Sequence, residues 1–165
     1  MFRIIVPLFL VSTISAHAEE QTDWSGSYYC KITASGGLKL NRTNNEWEST
    51  RFDVQDEAIL VTARATGQID TTYFGPVPTY TIKVKKFGDE SDGIPCTDVS
   101  KTLGQQSLVP VHSDGSTACG SYTSEYQINF KSKRILVMYP GGYMDEFGTN
   151  TDTPNISVGK CDKVG

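Results

Sequence analysis

Thr79-Tyr80-Thr81-Ile82-Lys83-Val84-Lys85-Lys86-Phe87 puts an apolar side chain at every second position over its first six residues. Successive side chains of a β-strand point to opposite faces, so Tyr80, Ile82 and Val84 turn inward while Thr81, Lys83 and Lys85 meet water. The same period recurs on both sides. Upstream, Trp24, Gly26, Tyr28, Cys30 and Ile32 share one parity, and Ile59, Val61 and Ala63 oppose Leu60, Thr62 and Arg64. Downstream, Tyr122, Ser124, Tyr126, Ile128 and Phe130 alternate, Lys131-Ser132-Lys133 turns the chain, and Arg134 to Tyr139 returns as a hairpin. Trp47 to Val54 and Ile156 to Val164 read as further strands, the first with Phe52 and Val54 inward. Ser35-Gly36-Gly37 reads as a turn before a return at Leu38-Lys39-Leu40, and Gly88 to Gly93 as an acidic turn. Between Ile94 and Gly120, Pro95, Gly104, Pro110 and Gly115 leave room only for short strands near 107–111. Brief helix is expected at most near 97–106 or 53–58. The pattern predicts an all-β fold, a single antiparallel barrel or sandwich of about eight strands.

Met1-Phe2-Arg3, an apolar run from Ile4 into Ile14, and Ala16-His17-Ala18 form an export-signal pattern. The run falls short of the roughly 20 apolar residues that a membrane helix needs. Cleavage after Ala18 is expected, leaving 19–165 as a single β domain of 147 residues, periplasmic or secreted, with no cysteine at the cut for a lipid anchor. Arg3 leaves with the leader, so 14 of the 15 basic residues face 19 acidic ones, a net charge of −5. That balance argues against nucleic acid and suits a basic protein partner. Cys30, Cys96, Cys119 and Cys161 all lie in the exported part, where an even count reads as two disulfides. Three connectivities are open. Cys30–Cys161, joining first and last strands, and Cys96–Cys119, bracketing a loop-rich segment, are favoured. Zinc would want closely spaced cysteine pairs, which are missing.

Trp24-Ser25-Gly26-Ser27-Tyr28-Tyr29-Cys30 has the form W-x-G-x-Y-x-C, and the chain closes on Pro154-Asn155-Ile156-Ser157-Val158-Gly159-Lys160-Cys161. Together with Tyr126 to Phe130, Arg134-Ile135-Leu136 and Gly142-Tyr143, these stretches resemble small, functionally uncharacterised periplasmic proteins of alphaproteobacteria. The resemblance implies a compartment and no mechanism. A looser likeness, of architecture only, is to periplasmic lysozyme inhibitors with a β-barrel fold, which also open on an aromatic-x-Cys strand and close on a Cys-bearing one. Lipocalin barrels are further away: their opening strand carries G-x-W, the reverse order.

No catalytic residue is singled out. The one histidine after cleavage, His112, sits in His112-Ser113-Asp114-Gly115-Ser116, where adjacent side chains diverge from a turn and cannot assemble a triad. No cofactor and no metal are expected. Gly88 to Gly93, and Asp145-Glu146 with Asn150, Asp152 and Asn155, carry oxygen ligands but not the register of a calcium loop, and read as solvated turns. Lys83/Lys85/Lys86 and Lys131/Lys133/Arg134 read as outward charges that discourage edge pairing, although they would also suit an anionic surface.

The binding candidates are aromatic: Tyr73, Phe74 and Tyr80 around Gly75-Pro76-Val77-Pro78, and Tyr139 and Tyr143 around Pro140-Gly141-Gly142. Tyrosine covers much area with few rotors, and proline lowers the entropy lost on binding. The competing reading has both loops plugging the ends of a barrel. Trp24 and Trp47 are expected in the core. The function expected is non-enzymatic binding of a protein or envelope component without a membrane span, one version being an inhibitor of a basic hydrolase. The alternative is a carrier holding a small apolar ligand inside the barrel, near Tyr80, Ile82 and Ile128.

Overall fold

Residues 22–71, 75–98, 107–141, 143 and 152–165 are described by the computed structural model; the expected leader and the loop residues Tyr73 and Phe74 lie outside them. The strands are β1 (Gly26–Asn41), β2 (Glu46–Phe52), β3 (Ala58–Asp70), β4 (Val77–Lys86), β5 (Ile94–Cys96), β6 (Val109–Pro110), β7 (Ser116–Ser121), β8 (Ser124–Asn129), β9 (Arg134–Tyr139) and β10 (Asn155–Lys163). Eight have six residues or more, and all pairings are antiparallel. The order across the sheet is β5-β4-β3-β1-β10-β9-β8-β7, with β2 on β1 and β6 on β4.

This ladder does not close on itself as a barrel does. Its ends, β5 and β7, meet at one isolated bridge, where Thr97 and Gly120 exchange hydrogen bonds of 2.7 and 2.8 Å, and at the disulfide Cys96–Cys119. The Thr117 hydroxyl adds a 2.7 Å hydrogen bond to the Pro110 carbonyl, tying β7 to β6. A covalent bond here takes over from the strand pairing that the irregular segment cannot supply. The second disulfide, Cys30–Cys161, joins directly opposed residues of β1 and β10 across 131 positions of sequence. A loop of that length is worth about 5 kcal/mol in the chain-entropy model.

The inward parities hold where the alternation is clean. Tyr28, Cys30 and Ile32 of β1, Val61 and Ala63 of β3, and Tyr80, Ile82 and Val84 of β4 are all buried. Val109, Val111, Ile128, Phe130 and Ile135 complete the filling, with Trp24 stacked on Phe130.

Four local expectations give way. Ser35-Gly36-Gly37 is not a turn: β1 runs straight through it, and the chain reverses at Arg42–Asn45 instead, where Asn45 takes φ 55°. Gly37 serves close approach, since a Cβ there would run into the Pro154 carbonyl, which accepts from the Leu38 amide at 3.0 Å. Tyr122 does not open a strand. It occupies the turn between β7 and β8 at φ 53° and is 90% exposed. Trp47 lies on the β1–β2 arm, half-buried against Tyr143 and outside the core cluster. At 53–58 the chain makes a turn rather than helix; positions 99–106 lie outside the described residues.

Candidate functional site

Of the aromatic candidates, Tyr80, Tyr139 and Tyr143 are among the described residues, and each has different surroundings. Tyr80 is 2% exposed; its hydroxyl accepts from the Trp24 amide at 3.1 Å and donates to Asp23 at 3.3 Å. Tyr28 donates to the Trp24 carbonyl at 2.9 Å. Burial raises the hydroxyl pKa of both tyrosines, while the Ser25 hydroxyl and amide hold the Asp23 carboxyl below its ordinary value. This group fastens the segment before β1 over the core. Tyr139 is half-buried and donates to Asp152 at 2.5 Å. Tyr143 is 56% exposed, its ring 5.6 Å from Trp47.

A surface that alternation alone does not announce lies on the outer face of β8, β9, β10 and the β1–β2 arm. On β10 the inward residues are small, Ser157, Gly159 and Cys161, and the outward ones are Ile156, Val158 and Lys160. A Cβ on Gly159 would sit 2.6 Å from the Lys31 carbonyl, so that crossing admits no side chain. Pairing register sets the outer rows. Ala118, Gln127, Leu136, Val158 and Ala34 lie abreast, and beside them Glu125, Met138, Ile156 and Gly36. Leu38 follows two residues along β1, and Leu40 pairs with Trp47 beyond it. Ile156 is 54% exposed, Val158 41% and Leu38 37%. Scattered apolar side chains are ordinary at a surface; here they lie side by side in register across neighbouring strands.

Two depressions follow this face. The larger, of about 950 Å³, has Leu136, Val158 and Ala118 in its floor and Gln127, Asn129, Ser132, Arg134 and Lys160 around them, with Asp98 and His112 bordering it from the side of β7. The smaller, of about 360 Å³, is bounded by Leu38, Met138, Tyr139, Pro140 and Ile156. Of the inward positions expected to line a ligand cavity, Tyr80 and Ile82 border neither depression, whereas Ile128, with Ile135 opposite it, borders the larger.

A row of charge crosses one end of the larger groove. Register sets Arg134 of β9 opposite Lys160 of β10, and Lys160 opposite Lys31 of β1. All three are exposed. Among the described residues the ion pair Lys133–Asp162, at 3.7 Å, involves none of them. Like charges directly opposite one another destabilise a sheet.

The other leads lie apart from chemistry. The acidic loop after β4 is organised by the Lys85 ammonium, which donates to the carbonyls of Asp89 at 2.9 Å and Ser91 at 2.8 Å. Asp145, Glu146 and Asn150 lie outside the described residues, among which no three His, Cys, Asp or Glu side chains converge as a metal requires. Asp114 accepts from the Ser116 amide and hydroxyl at 3.0 and 2.6 Å, which holds its pKa down, and Gly115 donates to the His112 carbonyl at 2.8 Å, giving the tight turn expected there. Among the described residues no helix is long and apolar enough to cross a membrane. Two structural disulfides accord with an oxidising, extracytoplasmic setting. Comparison with known proteins finds no matching family model, curated protein or solved structure.

Proposed function

We propose that this chain is an exported, non-enzymatic domain that acts by binding a protein or envelope component, and that it binds through the outer face of β9, β10 and the β1–β2 arm. One observation carries the reading: Ile156 and Val158 are large, apolar and outward on a strand whose inward positions are Ser157, Gly159 and Cys161. A strand shaped by folding alone has the opposite arrangement, because burying apolar area stabilises at about 25 cal/mol per Å² and exposing it does not. The Tyr143–Trp47 pair extends this face and retains one of the aromatic candidates. The acidic balance of the whole chain favours a basic partner, but the cations on this face favour one that is not basic there, which sets the hydrolase-inhibitor version behind a general binding role.

The test is copurification from periplasmic extract, with Ile156→Ser/Val158→Ser as the comparison. Material recovered with the natural sequence and lost with the double variant supports the reading. Recovery of nothing, or of the same set with both, removes it.

A further inference from the structure

Resting on that reading of the outer face, we propose a ligand class for it: an amphiphile with one acyl chain and an anionic head, held as a monomer in the groove. The head sits on Arg134 and Lys160, with Lys31 beside them, and the chain lies along Leu136 and Val158 towards Met138 and Ile156.

Folding sets three cations side by side, and the Lys133–Asp162 ion pair takes in none of them, an arrangement that costs stability in the free protein. A bound anion relieves that cost. Arg134 offers a planar fork suited to a carboxylate or phosphate, and Lys160 a mobile second donor. Acids are near but placed elsewhere. Asp162 is paired with Lys133, Glu57 precedes the residue opposite Lys31, and the buried Asp98 borders the groove across β8 from Arg134.

The apolar floor supplies the second half. Moving away from the cationic row, the next two outward positions are Leu136 and Met138 on β9, and Val158 and Ile156 on β10. Leu38 and Pro140 continue in the smaller depression. Three steps of two residues span about 20 Å, the reach of a long acyl chain, at 3.4 Å per residue. The larger groove, about 950 Å³, lies within the size range of ligand sites; it joins the apolar Leu136, Val158 and Ala118 to the cations Arg134 and Lys160, with Gln127, Asn129 and Ser132 also in its wall.

The same register argues against an acidic peptide in this place. β9 and β10 are paired on both edges, so their backbone groups are used in the ladder and no strand can be added alongside the cations. What the face presents is side chains only, charge at one end and hydrocarbon beyond it. Inside the sheet Tyr28, Ile82 and Phe130 fill the space, and the groove borders that core at Ile128 and Ile135.

Calorimetric titration of the exported protein with palmitate tests this, alongside dodecyl maltoside as a neutral amphiphile, inorganic phosphate as a head without a chain, and phosphatidylglycerol vesicles as a surface. Saturable binding of one palmitate, about tenfold tighter than the maltoside and absent for phosphate, is expected; one hydrogen bond to a charged group is worth that factor. Arg134→Glu/Lys160→Glu should lose binding by the same factor or more with no fall in melting temperature. Lys83→Glu, a charge reversal placed on β4, should leave binding unchanged. Should the double reversal fail to fold, Lys160→Gln gives the same reading through a smaller loss. Absence of palmitate binding, equal affinity for the maltoside, indifference to the Arg134 and Lys160 changes, or binding to vesicles only would each overturn the proposal. If palmitate fails while Ile156→Ser/Val158→Ser still abolishes capture of a protein, this ligand is wrong and the binding role stands; if both fail, neither survives.

Discussion

Two strands of the same sheet show opposite economies. β4 carries Tyr80, Ile82 and Val84 inward and Thr81, Lys83 and Lys85 outward, the arrangement that hydrophobic burial favours. β10 carries Ser157, Gly159 and Cys161 inward and Ile156 and Val158 outward. Both are paired on two sides, so position in the sheet does not explain the difference. β4 holds its place by burying area. β10 holds its place by a covalent bond through Cys161 and by a crossing so tight that Gly159 admits no Cβ. With that anchoring, β10 stays in the sheet while Ile156 and Val158 remain exposed. Strands anchored by cross-links and close backbone contact can give their large side chains to the surface.

That contrast can be broken by experiment. The largest effect belongs to the bond that stands in for the core on β10: Cys30→Ser/Cys161→Ser should lose about 5 kcal/mol of unfolding free energy, measured in denaturant, against about 3 for Cys96→Ser/Cys119→Ser with its separation of 23. Equal losses would mean that loop length is not what sets the contribution. Next, Ile82→Ala should cost about 2–5 kcal/mol, since Ile82 is fully enclosed. The matched change on β10, Ile156→Ala, should stay within about 0.5 kcal/mol, as surface substitutions do. A large loss at Ile156 would return that side chain to a structural role.

The smallest effect concerns the tyrosines beneath the segment before β1. Burial raises the pKa of Tyr28 and Tyr80, so both favour the folded state in neutral form. Their contribution is complete below pH about 10 and is lost as pH climbs through the raised folded values. The melting temperature should fall progressively above that pH, and Tyr80→Phe should flatten the fall. An identical alkaline profile in the variant would remove Tyr80 from the account.

Much of the architecture was legible because water enforces period two. Where one face of a strand is wet and the other dry, as over Tyr80 to Lys85, alternation states the parity outright. It failed at Gly36-Gly37, where Gly37 answers a steric demand from Pro154, the residue before β10, which no local window contains. It failed at Tyr122, an aromatic residue that continues the alternation of β8 yet occupies a left-handed turn. The outer face was within reach by one further step. With Cys161 inward, Val158 and Ile156 stand three and five positions away, so period two must turn them outward.

From the order of residues alone came the all-β class, the antiparallel hairpins, the inward faces of β1, β3 and β4, and the expectation of two disulfides, because each depends on local alternation or on a short census of thiols. Only the folded chain decided that the ladder stays open and is joined at Cys96–Cys119, that Arg134, Lys160 and Lys31 stand in one row, and that the apolar residues of three distant segments form one surface. Those are questions of register. Register is settled by every strand at once, through contacts between residues far apart in the chain.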